Sequence, residues 1–352
     1  MVALEVSVSK GFVAEHLGVV FDREYYFDPQ RRQQVDSQCQ AFVRRELADL
    51  GACFTESNLG RSAFITSEQV LIGGIQPNMI LAMLLGAEFV PGMDRDADVT
   101  PDCSKDVDPA ELPQPEALLD HPLIQTFDDQ FRAVGREGRY RPIPPFFWDR
   151  SGRAAVHGSL TTAQKLLGDG IFVDLLTNPT RCRDAMRWIT EATLRLVEHY
   201  AALGQTEITA VHVGECSACM VSPKLFEQFV LPEVSRIGEA LGAVRFHSCG
   251  RSDHFIASCT GITNLASVDL GGENSVAKVR QVFGADFPIS IAPLAEDLSN
   301  RQPDALLDWV RRVLDENQAG PLEIVCHLEP NYNLAAIRRA GDLVREHGHT
   351  KE

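Results

Sequence analysis

Apolar and polar positions along the chain alternate between two periods. Short apolar runs of strand length occur at Ser62–Thr66, Glu88–Val90, Ala154–His157, Glu207–Val213, Ala243–His247, Asn264–Val268, Phe287–Ile291 and Leu322–Cys326. Between them lie stretches with helical spacing, clearest at Asn178–Leu203, Ser222–Leu241, Gly272–Phe283 and Gln302–Glu316, with a last helix expected over Asn333–His347. Runs of period two alternating with runs of period 3.6 predict parallel strands joined by helices. Eight such strands favour closure into a (β/α)8 TIM barrel over a doubly wound open sheet, because no G-x-G-x-x-G follows any of them.

Two segments depart from the alternation. Residues 1–61 read as a helical lead-in: Pro29 to Gly51 carries Val35, Phe42, Val43, Leu47 and Leu50 at helical spacing and stops at a glycine. Met93 to Arg153 is rich in Asp and Pro with one expected helix near Leu123–Val134, and reads as an elaborated connection over a barrel rim. The expectation is one barrel domain over residues 1–352. Ser222-Pro223 marks a helix start, supplying a capping hydroxyl and a proline suited to the first helical position.

Composition narrows the function. With 44% hydrophobic and 23% charged residues the chain has the balance of a globular protein. Its net charge of −16 argues against binding a nucleic-acid backbone or an anionic membrane surface. No apolar run is long enough to span a membrane, and the first eleven residues, with Glu5 and Lys10, lack the apolar core of a secretory leader. A reducing cytoplasm is therefore expected, where nine cysteines stay free and clustered thiols point to metal or catalysis.

The strongest chemical signal is Arg245-Phe246-His247-Ser248-Cys249-Gly250 at the end of a strand. His247 and Cys249 are two apart, so in an extended chain they share a face, and imidazole with thiolate suits zinc. Strand ends of a parallel barrel converge on one rim. Cys326, closing the last strand, is then the natural third ligand of a set with one position open, as in catalytic zinc sites. A second cluster, Val211-His212-Val213-Gly214-Glu215-Cys216-Ser217-Ala218-Cys219, ends the preceding strand. Glu215 is a candidate fourth ligand or proton acceptor, and His212, Cys216 and Cys219 are candidate pocket residues. The C-x-x-C spacing alone leaves open a redox motif or small residues packing a tight turn.

These residues together resemble the uroporphyrinogen decarboxylase superfamily. The likeness is carried by Gly158-Ser159-Leu160-Thr161-Thr162 before a helix, by Ser222-Pro223-Lys224-Leu225-Phe226 with Leu231-Pro232 beyond it, and by the His247–Cys249 strand. Within that superfamily the chain looks like the branch of zinc-dependent corrinoid:coenzyme M methyltransferases. The likeness implies His247, Cys249 and Cys326 as zinc ligands and a methyl-corrinoid on a partner protein as donor. It further implies a small acceptor, a thiol or a folate. The metal-free decarboxylase branch is the alternative. Its early-strand aspartate has no counterpart in Ser67–Met79, and Gly138-Arg139-Tyr140 falls too late to be its arginine motif. A third reading is a non-catalytic barrel that binds a corrinoid or a metal.

Overall fold

In a computed structural model, residues 2–54, 68–101, 103–104, 107–149, 151–299 and 304–349 are described. Eight parallel strands run in chain order around a (β/α)8 barrel: β1 (Val2–Val8), β2 (Cys53–Phe54), β3 (Arg153–His157), β4 (Ala210–Gly214), β5 (Ala243–Ser248), β6 (Leu265–Gly271), β7 (Ile289–Ala292) and β8 (Leu322–Leu328). Apart from β2 and β3, neighbours in sequence pair with one another, and β8 closes onto β1 with Val2 opposite Leu322 and Val8 opposite Leu328. Among the described residues the one seam without ladder pairing lies between β2 and β3.

Six of the eight expected strands are present within a few residues of their expected bounds. Ser62–Thr66 lies outside the described residues. The run at Glu88–Val90 forms a short antiparallel pair with Asp98–Val99, away from the barrel. The barrel instead takes its first two strands from the segment read as a helical lead-in. That segment does hold helices Lys10–Leu17, Arg23–Phe27 and Pro29–Glu46, but Val2–Val8 precedes them and Cys53–Phe54 follows. The reason is register. Val2–Val8 is held by pairing with the far end of the chain, and β2 is too short to carry a period of its own.

The outer layer follows the sequence more closely. Pro179–Gly204 buries a stripe of Cys182, Met186, Ile189, Thr193, Leu196, Val197 and Tyr200 on its inner face. Ser222 caps its helix as expected, its hydroxyl accepting from Leu225 N at 3.3 Å. A π turn over Phe226–Val230 interrupts that helix before Leu231–Leu241. Pro232, which has no N–H to donate back along the helix, sits at the junction. Among the described residues no helix is long and apolar enough to cross a membrane.

The barrel interior is polar. Along β5 the buried Val244, Phe246 and Ser248 face the helices, while Arg245 and His247 face inward. The ladder registers place His157, Gly214, His247, Asp269, Ser290 and Glu323 opposite one another in sequence across six strands. Met93 to Arg153 contributes to the mouth: Asp96 lies in its wall, and Phe146 to Trp148 fold back against β3.

Candidate metal centre

Three ligand atoms converge where β4 and β5 end. Those of Cys216, His247 and Cys249 all lie within 4.8 Å of one another. His247 leaves the strand pointing inward and Cys249 lies two residues on, as the spacing predicts. Cys216 belongs to the turn that follows β4, whose Gly214 lies directly opposite His247. Gly271 completes the local geometry, since a Cβ there would stand 1.8 Å from the carbonyl oxygen of Cys249. Only glycine lets the two strand ends come so close.

The electrostatics of the set favour thiolate. Hydrogen bonds from the Cys216 thiol and the His247 imidazole hold Cys249 well below an ordinary thiol, while Cys216 is pushed up by sharing its proton with Cys249 and by burial. Burial opposes the imidazolium form of His247, but the Asp269 carboxylate outweighs it and raises the group to about 9. His247 Nδ1 lies 3.1 Å from Asp269 Oδ2, and Arg245 Nη2 stands 3.1 Å from the same oxygen. Burial alone would raise Asp269; the charges of His247 and Arg245 instead keep it ionised. With Nδ1 turned to a carboxylate, Nε2 is left for the thiol side, the arrangement in which an imidazole serves a metal.

Three expected residues are placed differently. Cys326 is not brought to the group. It is fully buried in the hydrophobic core, and burial raises its thiol to about 12. Along β8, Val325 and His327 line the mouth and Glu323 accepts from Ser290 Oγ, so the alternate positions Leu322, Ile324, Cys326 and Leu328 face the helices. One residue of strand parity separates Cys326 from the face that the third-ligand assignment requires. Cys216 stands in that place.

Glu215 does not complete the group either. Its Oε1 accepts from Thr161 N at 2.7 Å and from Thr161 Oγ1 at 2.8 Å, which aims the carboxylate at the start of helix Ser159–Leu167. The capping position of that helix is Gly158, which has no side chain to offer, and a Cβ there would lie 1.7 Å from Glu215 Oε2. The glutamate thus caps the helix from another strand. It is fully buried, and desolvation raises its pKa to about 7.

Cys219 is not among the converging ligand atoms and lies so close to Gly250 that a Cβ there would be 2.6 Å from its sulfur. His212 forms a second group of ligand atoms with His247 and Asp269, again within 4.8 Å, its ring 5.5 Å from that of His247. Ser252, just beyond the centre, is buried and bonded to Ser248 and Asn274. From the acid-rich connection that begins at Met93, Asp96 pairs with Lys10 at 2.8 Å.

Two cavities meet at this set. The wider mouth, about 390 Å³, is lined by His247, Cys249, His327, Glu329, Tyr332 and Asp96 among others. The second, about 360 Å³, lies against Cys216, His212, His157 and Trp148. His247 and Gln76 border both. Sequence reading had not singled out Asp269, His157, Trp148, Gln76 or His327. Asp269 alone carried a signal, a charge inside an otherwise apolar strand.

The fold and site define a (β/α)8 barrel with a thiol–imidazole centre at the carboxyl ends of its strands, where such barrels hold their active sites. Residues 154–321 match the model of the uroporphyrinogen decarboxylase (URO-D) family, as the resemblance implied. Among solved structures the chain is similar to a methyltransferase from Methanosarcina mazei, at TM-score 0.63 and 16% identity over 98% of this chain and 94% of that one. A B12-independent methionine synthase from Shewanella sp. W3-18-1, in complex with selenomethionine, matches at TM-score 0.38 and 14% identity, covering 64% of this chain and 68% of its own. No curated protein matches the sequence.

Proposed function

We propose that this protein is a zinc-dependent methyltransferase that moves a methyl group from a methyl-corrinoid on a partner protein to a small thiol. The observation that carries the reading is the convergence of Cys216, His247 and Cys249 at the junction of two cavities. Two soft thiolates and an imidazole backed by a carboxylate suit zinc, and three protein ligands leave one position open. The likeness of the whole chain to a structure described as a methyltransferase supports the same reading.

The chain's own residues have distinct tasks. Cys216, His247 and Cys249 would hold the ion, Cys249 already favouring the thiolate that a metal requires. Asp269, paired with Arg245, would hold the imidazole by Nδ1 and so leave Nε2 for the metal. Zinc in this set would lower the pKa of an acceptor thiol, so that the acceptor reacts as its thiolate. The methyl-corrinoid would supply an electrophilic methyl group whose bonding pair stays with cobalt as the sulfur–carbon bond forms. Two cavities flanking one centre suit two reactants arriving from different sides.

The decarboxylase alternative calls for arginines converging on a polycarboxylate. Among the described residues no arginine lines either cavity. The test is direct. Zinc per chain is measured on the purified protein, which is then mixed with methylcobalamin and a panel of thiols and tetrahydrofolate while the cobalt spectrum is followed. One zinc per chain with thiol-dependent demethylation is the expected result. Absence of zinc, or zinc without demethylation by any acceptor, would overturn the reading.

A further inference from the structure

The second cavity differs in chemistry from the mouth. Its lining holds three consecutive aromatic residues, Phe146, Phe147 and Trp148, and the imidazoles of His157 and His212. None of its lining residues is a lysine, arginine, aspartate or glutamate. Its one cationic group, His247, is already paired with Asp269, so a carboxylate, sulfonate or ammonium group would lose its hydration here with little ionic return.

The aromatic wall is built rather than incidental. Phe147 bridges Ala154, Ala155 N donates to Phe146 O at 2.8 Å, and Trp148 N donates to Arg153 O at 3.1 Å, folding the segment back on β3. The turn holds Phe146 at φ 67°, a left-handed backbone that a bulky residue seldom adopts. Such conformations persist where the surroundings impose them, and they gather at ligand-binding segments. Arg153, paired with Asp149, lies 5.4 Å above the Trp148 ring and braces it from behind. Trp148 in turn meets His212 at 5.1 Å. Phe146 stacks on Tyr200 at 5.9 Å.

The two imidazoles that share this lining have unpartnered ring atoms. Among the described residues neither His157 nor His212 makes a protein hydrogen bond, and the Nδ1 atom of each is buried without a partner. An apolar cavity of about 150 Å³ is enough to hold benzene. At about 360 Å³ this one has room for a single ring and a short substituent. Cys216 and His247 line the same cavity.

We propose that this cavity is the acceptor site and that it selects a thiol carrying one uncharged aromatic ring. The ring packs among Phe146, Phe147 and Trp148 beside His212, and the sulfur reaches toward Cys216 and His247. The assignment of the sulfur rests on the methyl-transfer reading, whereas recognition of the ring stands on the cavity itself.

Isothermal titration calorimetry of the full chain, zinc-loaded and zinc-stripped, tests this with phenylmethanethiol, 2-mercaptoethanol and 3-mercaptopropionate. Phenylmethanethiol is expected to bind about tenfold more tightly than either aliphatic thiol in the loaded protein. The preference is expected to persist, with weaker binding overall, after zinc is removed. Trp148→Leu and Phe147→Leu should each weaken phenylmethanethiol about fivefold or more and leave 2-mercaptoethanol within about twofold. Having two variants guards against the failure of one to fold, which thermal melting detects. Equal affinities for the three thiols, tighter binding of 3-mercaptopropionate, or indifference to both substitutions would overturn the proposal. If no thiol demethylates methylcobalamin yet the aromatic preference persists, the methyl-transfer reading fails and ring recognition stands.

Discussion

The Nδ1 atom of His247 and the Oδ2 atom of Asp269 lie 3.1 Å apart on adjacent strands, opposite one another in the ladder. A carboxylate at Nδ1 would leave Nε2 for the two thiols. Replacing the carboxylate by an amide, Asp269→Asn, removes the charge and permits the ring to turn. Zinc affinity should fall about 10- to 100-fold, the usual effect of losing the outer partner of a metal-binding histidine. Competition with a chromophoric chelator measures it. An unchanged affinity would show that Asp269 has no part in presenting the ring.

The third ligand separates two cysteines cleanly. Cys216→Ala should abolish stoichiometric zinc binding, since it removes one of three converging atoms. Cys326→Ala should retain zinc and instead lower stability by about 1 kcal/mol, because it shrinks a buried core side chain. Metal analysis and denaturant titration of both variants distinguish the roles. Loss of zinc in Cys326→Ala alone would restore the assignment that strand parity removes.

Glu215 is expected to act on the fold. Glu215→Ala strips the acceptor from Thr161 N and Thr161 Oγ1 in a buried place and should cost about 1–3 kcal/mol. Glu215→Gln keeps an acceptor and should hold zinc at the wild-type stoichiometry. Gly158→Ala should resemble Glu215→Ala, since the new methyl group occupies the space of the carboxylate. Chemical denaturation alongside zinc analysis checks all three. Metal lost from Glu215→Gln would instead make the glutamate a ligand.

Acid should loosen the barrel through His327. Burial lowers this imidazole to about 4, and its Nδ1 is held by Ser7 Oγ at 2.8 Å. In the unfolded chain the same ring takes a proton near pH 6.5. Between those values the unfolded state binds the extra proton, so the contribution of His327 is complete above about pH 6.5 and is lost as pH falls toward 4. His327→Gln should therefore show a shallower fall of Tm over this range than the wild type. Identical slopes would mean that the ring titrates normally in the folded protein.

How much of this was legible differs from element to element. Pro179–Gly204 was plain in the sequence because a long helix repeats its buried stripe many times within its own length. Val2–Val8 was missed because its ladder partner lies more than three hundred residues away. His247 and Cys249 could be paired from spacing alone, since residues two apart in extended chain share a face whatever surrounds them. Cys326 could not be placed in the same way, because which face of β8 looks inward depends on its register with β1 and β7. Trp148 gave no sign at all: its position comes from a turn that folds back on β3.

The sequence by itself determined the alternation of strands and helices, the barrel they imply, the helix starts and the pair of metal-favouring residues at the end of β5. These are local properties, written in periodicity and in residues a few positions apart. Only the tertiary structure decided that Cys216 joins that pair, that Glu215 caps a helix, that Asp269 orients His247 and that an aromatic cavity opens beside them. Each of those relations joins residues from different strands or turns. It exists only because the barrel brings the carboxyl ends of its strands to one rim, in a register that no single segment specifies.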